Sequence, residues 1–97
     1  MNRDLELAKR VFPLLRVRTS NAGMRVYFDL KNGAEDFDPL GKHFPDVLAW
    51  LACQTDVHIN GDCVATQRSI HDYTAGTADG LTQAVYEAAI RIVEGEK

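Results

Sequence analysis

Residues 14–30 read LLRVRTSNAGMRVYFDL, and the alternation on either side of the turn-rich centre decides the fold. Leu14 to Thr19 and Met24 to Leu30 both alternate with the period of a strand, and Ser20-Asn21-Ala22-Gly23 between them favours a turn, which predicts an antiparallel hairpin. Pairing across a four-residue loop puts Leu15, Val17, Met24, Val26, Phe28 and Leu30 on one side and Arg16, Arg18, Arg25, Tyr27 and Asp29 on the other. The first side reads as core.

Upstream, Asn2 to Phe12 places Leu5, Ala8, Val11 and Phe12 on one helical face, with Asn2 as cap. Asp4 and Glu6 come early and Lys9 and Arg10 late, which complements the helix dipole, and Pro13 then stops the helix or bends it. Downstream, Lys31 to Phe44 reads as a long loop containing Asn32-Gly33 and the acidic residues Glu35, Asp36 and Asp38. A second helix follows from Pro45 to about Cys53, with Phe44, Val47, Leu48 and Leu51 as its buried stripe. Trp50 falls at the boundary of that stripe, where a tryptophan suits a contact surface.

Asp56 to Asn60 and Asp62 to Ile70 read as a second hairpin about the Asn60-Gly61 turn, with His58 opposite Cys63. His71 to Gly76 reads as loop. A last helix spans about Asp79 to Glu94 and ends at Gly95, with Leu81, Ala84, Val85, Ala88, Ala89 and Ile92 on one face and a Glu87–Arg91 pair on its exposed side. The expected class is α+β, in the order α-β-β-α-β-β-α, with a single antiparallel sheet of about four strands packed by three helices in one domain over residues 1–97.

Composition agrees with an ordinary globular domain: 45% of residues are apolar and 26% charged. No apolar stretch is long enough to span a bilayer or resembles a leader, so the expected location is the cytoplasm, that of a host cell if the context is a phage. Two cysteines, Cys53 and Cys63, do not make a secreted disulfide framework, and whether they pair is open. The net charge of −3 divides unevenly: residues 1–31 carry seven Lys/Arg against three Asp/Glu, and the rest carry four against eleven. Such an asymmetry satisfies itself within the fold or drives head-to-tail assembly.

Chemistry-bearing patterns are sparse. There is neither a Cys-x-x-Cys nor a His-x₃-His pair, and His71 lies eight residues beyond Cys63, roughly 26 Å along an extended strand, so no zinc site is expected. A Cys63–His58 nucleophile pair would have no orienting residue or oxyanion loop, and His71-Asp72-Tyr73 has no nucleophile beside it. Glu35, Asp36 and Asp38 lack the ligand spacing of a calcium loop and read as a solvated run or a contact patch for a basic partner. Arg16, Arg18, Arg25 and Tyr27 share a face that could hold phosphates or stack on bases, although the chain is acidic, with a pI near 5.5. No nucleotide fingerprint or catalytic motif is present, so the expectation is a protein without enzymatic activity and without a cofactor.

Phe37-Asp38-Pro39-Leu40 ahead of an apolar helix, the Val57-to-Ile70 hairpin and the closing alanine-rich helix together resemble the phage ABA sandwich domain, from about Asp4 to Val93. Phe37 to Leu40 followed by Asp46 to Leu51 match the aromatic-Asn/Asp-Pro-Leu segment and helix of that family, with Gly41 to Pro45 inserted between them. The resemblance implies a short phage or prophage protein and transfers no catalytic residue. Small phage proteins of this kind often act by binding. The leading expectation is therefore a phage-type accessory protein that binds a host or phage protein, in host takeover or against a defence system, through Trp50, Glu35, Asp36 and Asp38. The alternatives are an anion, nucleotide or nucleic-acid binder using Arg16, Arg18, Arg25 and Tyr27, and a self-assembling structural subunit. No membrane partner is expected.

Overall fold

The Asn2 side chain accepts a hydrogen bond from the Leu5 N–H at 3.1 Å and so caps the first helix, α1 (Arg3–Val11), as its sequence signature predicts. In the computed structural model, which describes residues 2–20, 25–61, 63–67, 69–72 and 80–95, the chain continues through β1 (Val17–Thr19), β2 (Val26–Leu30), β3 (Gly33–Asp36), α2 (Phe44–Gln54), β4 (His58–Ile59), β5 (Cys63–Ala65), β6 (Ile70–Asp72) and α3 (Gly80–Gly95). The class is α+β. The single sheet of about four strands is replaced by two antiparallel three-stranded meanders, in the orders β1-β2-β3 and β4-β5-β6, each following a helix.

Two corrections produce that change. First, the segment read as loop after Lys31 begins with a strand: Leu30 pairs with Gly33 and Tyr27 with Asp36. Gly33 sits at φ +136°, a conformation that side chains disfavour, so the Asn32-Gly33 signal marks a tight hairpin rather than a loop. Second, the long run from Cys63 to Ile70 breaks where the Thr66 N–H donates to the Ser69 carbonyl at 2.8 Å, and the chain turns back as β6. His71, read as loop, is therefore in a strand beside Val64.

Both predicted hairpins form, each with its partner strand shifted by two residues from the register that the sequence suggested. Val17 lies opposite Phe28, and the Ser20 N–H still reaches the Arg25 carbonyl at 2.9 Å, so the connection is residues 21–24, outside the described residues. In the second hairpin Ile59 lies opposite Val64 and the Asn60 N–H bonds to the Cys63 carbonyl, so His58 faces Ala65 rather than Cys63. A shift of two leaves every side chain on its predicted face, because a strand repeats every two residues.

Apolar burial divides into two clusters. The larger gathers Leu7 of α1, Val47 and Leu51 of α2, Val64 of β5 and the α3 residues Ala84, Val85, Ala88, Ala89, Ile90, Ile92 and Val93. The α3 stripe is wider than predicted because that helix packs at once on α1, α2, β5 and β6, which also buries Ile90 and Val93. Leu81 and the α2 residues Phe44 and Leu48 are half-buried against the same core. The smaller cluster joins Ala8 to Val26 and Phe28, with Leu5, Phe12, Val17 and Phe37 around them. Leu15 and Leu30, assigned to the core face by alternation, are instead exposed. Among the described residues no helix is long and apolar enough to cross a membrane.

Candidate functional site

Hairpin pleating puts Arg16, Arg18, Arg25 and Tyr27 on the outer face of the first meander together with Asp29 and Asp36. Two of the three arginines are answered across the strands. Arg18 stands opposite Tyr27 and donates from Nε to Asp29 Oδ2, the diagonal neighbour, at 3.0 Å, while Arg25 reaches diagonally to Asp36. The Arg25 guanidinium also lies 4.9 Å over the Tyr27 ring centre. Arg18 and Arg25 are thus paired, Arg16 is exposed without a carboxylate partner among the described residues, and the tyrosine already carries a cation.

The acidic residues are similarly engaged. Asp36 holds Arg25, and Glu35 pairs with Lys42, whose hydrogen bond draws the Glu35 carboxyl below its usual range. Asp38 organises the approach to α2: its carbonyl accepts from the His43 N–H at 2.8 Å, and its carboxylate accepts from the Lys42 N–H at 3.1 Å. That carboxylate crosses Gly41 so closely that a Cβ there would lie 2.4 Å from Asp38 Oδ2. Trp50 is half-buried against the larger core.

The sequence reading did not single out His43, which is only 6% exposed. Its ring lies among Phe12, Phe28 and Phe37, with centroids 5.4, 5.4 and 5.6 Å away. Nδ1 accepts from the Asp38 N–H at 2.8 Å, which leaves Nε2 facing Glu35 Oε1 at 3.7 Å. A buried ring with Nδ1 bonded in this way holds the loop to the small core.

A cleft of about 90 Å³ lies between α1, β6 and α3, lined by Arg3, His71, Glu87, Ile90, Arg91 and Glu94. Its two arginines are matched by two glutamates, and Arg3 bridges to Glu94 at 3.3 Å. Burial pushes the His71 imidazole below its usual pKa, and its Nε2 lies 2.7 Å from the Ser69 hydroxyl. Glu87, expected to pair with Arg91, accepts from Gln83 at 2.9 Å. Cys53 and Cys63 are free thiols, and among the described residues no group of His, Cys, Asp or Glu converges as a metal site. The backbone of His71 and Asp72 is in β6, whereas Tyr73 lies outside the described residues.

Among the described residues the most exposed large apolar side chain is at the end of the first meander. The Leu15 N–H bonds to the Phe12 carbonyl at 3.2 Å, making a turn with Pro13 and Leu14 at its centre, and Leu14 is 97% exposed. The Asp29 N–H bonds to the Arg16 carbonyl, which continues the β1–β2 register so that Leu15 lies across from Leu30. Leu15 and Leu30 are 39% and 36% exposed. The signal that could have found this patch is Pro13-Leu14 itself, since the centre of a turn is ordinarily polar or glycine.

No family model matches the chain, and neither the curated proteins nor the solved structures contain a significant match to it.

Proposed function

We propose that the protein acts by binding another protein, without chemistry of its own, through the leucine end of the first meander. The observation that carries this reading is Leu14, an almost fully solvated leucine at a turn tip, with Leu15 and Leu30 beside it. A turn gains nothing from an apolar side chain there, whereas a partner that covers it gains about 1.5–3 kcal/mol per leucine fully buried. This surface replaces the acidic residues as the leading contact, because Glu35, Asp36 and Asp38 are committed to Lys42, Arg25 and the α2 approach. The resemblance to small phage proteins supplies the biological context of the proposal: an accessory protein in the host cytoplasm with a host or phage protein as target.

The test is affinity capture of the tagged chain from host lysate, with mass spectrometry of what is retained, run beside Leu14→Ser and Leu15→Ser. One stoichiometric protein retained by the parent chain and released by either variant supports the reading. Retention of the same proteins by all three chains removes it.

A further inference from the structure

Building on the protein-binding reading, we propose that the free edge of β1 takes up an acidic, apolar-anchored extended segment of the partner as a fourth strand of the first sheet. The bonds from the Asp29 N–H to the Arg16 carbonyl and from the Ser20 N–H to the Arg25 carbonyl, both 2.9 Å, place Arg16, Arg18 and Ser20 on the hydrogen-bonded pairs with β2. Antiparallel pairing alternates, so the backbone groups of Val17 and Thr19 point away from β2. Among the described elements β2 is the only strand paired with β1, which leaves that edge as a template for another strand.

Charge selects the occupant. Arg16 and Lys31 flank the leucines, both are exposed, and among the described residues no carboxylate pairs with either. A second copy of β1 would bring Arg16 and Arg18 against the same residues and is disfavoured, whereas carboxylates on an incoming strand meet cations. Leu14 and Leu15 offer apolar contacts beside the edge, and only a polypeptide supplies N–H and C=O groups at the matching spacing. A nucleic acid or a lipid surface meets the charge but not the backbone.

The experiment uses the full chain and an eight-residue fluorescent peptide of alternating Leu and Glu, compared by anisotropy with alternating Leu and Lys and with vesicles of anionic lipid. The expected result is binding of the Glu peptide at least about tenfold tighter than the Lys peptide, weakening with salt. Thr19→Pro removes an outward N–H and no bond to β2, Leu14→Ser removes an exposed anchor, and each should cost about tenfold or more with unchanged circular dichroism. Should Thr19→Pro unfold, a Glu peptide N-methylated at alternate residues gives the same reading on the parent chain, and should fail to bind. Equal affinity for the two peptides, full binding by the methylated peptide, or binding to vesicles alone overturns the proposal. If the Glu peptide fails while Leu14→Ser still releases the captured protein, strand addition is wrong and protein binding stands. If the peptide binds while Leu14→Ser releases nothing, the edge is real and the parent reading fails.

Discussion

The two meanders follow the same plan, a helix and then three short antiparallel strands, but they are held in different ways. The first has a core of aromatic side chains: Phe28 meets Phe12, Phe37 and His43 edge-on, with centroids 5.0, 5.8 and 5.4 Å away. Among the described residues the second contributes Val64 as its one fully buried side chain and relies on α3, which packs on β5 and β6. The first sheet thus organises its own small core beside α1, whereas the second is a cover over the core that α3 builds. The exposed leucines belong to the more self-sufficient sheet, whereas the exposed apolar side chains of the second are Ile59 and Ile70.

The largest test of that contrast is Phe28→Ala against Val64→Ala. Loss of Phe28 should cost about 3–5 kcal/mol in denaturant unfolding, because it leaves a void among three rings. Loss of the smaller Val64 should cost about 2 kcal/mol. Equal losses would show that the second sheet is as independent as the first.

A smaller effect sharpens the picture of β3. Gly33→Ala should destabilise by about 1–3 kcal/mol through backbone strain alone, since nothing lies within 4 Å of a Cβ at that position. A neutral result in thermal melts would mean that the β2–β3 turn adapts.

The smallest effect belongs to the second sheet and is read through pH. Burial lowers the pKa of His71 in the fold, while the unfolded chain takes up that proton at about 6.5. The unfolded state therefore binds more protons once pH falls below that value, and stability should fall as pH drops from 7 toward 5. His71→Asn should flatten that part of the stability profile. An unchanged slope would place the pH sensitivity elsewhere.

Helices were legible where capping and periodicity coincided: Asn2 with the acidic first turn of α1, and Leu81 to Ile92 of α3. The faces of both hairpins were legible for the same reason. β3 was not, because Gly33-Ala34-Glu35-Asp36 has no apolar alternation and becomes a strand by pairing with β2. Nor was β6, since the turn from Thr66 to Ser69 interrupts a run whose residue types suit a strand throughout. His43 was hidden by its polar neighbours, and only tertiary packing brings three phenylalanines around it. Of the candidate contacts, the shared face of Arg16, Arg18, Arg25 and Tyr27 could be read from alternation. Their carboxylate partners could not, because diagonal pairing depends on a register that the turn signals misplaced by two.

The exposed bonds Arg18–Asp29 and Arg3–Glu94 join the same kinds of group at 3.0 and 3.3 Å, but they close segments of very different length, with separations of 11 and 91 residues. Loop-closure entropy rises with the logarithm of length, so the longer ring costs about 2 kcal/mol more to draw shut. An exposed ion pair does not offset that. Leu7, wholly enclosed by α1, α2 and α3, can, and the Tyr86 hydroxyl on Asp4 fixes the alignment. The first helix is therefore the clasp of the molecule: apolar burial fastens it, and the ion pair marks where it closes.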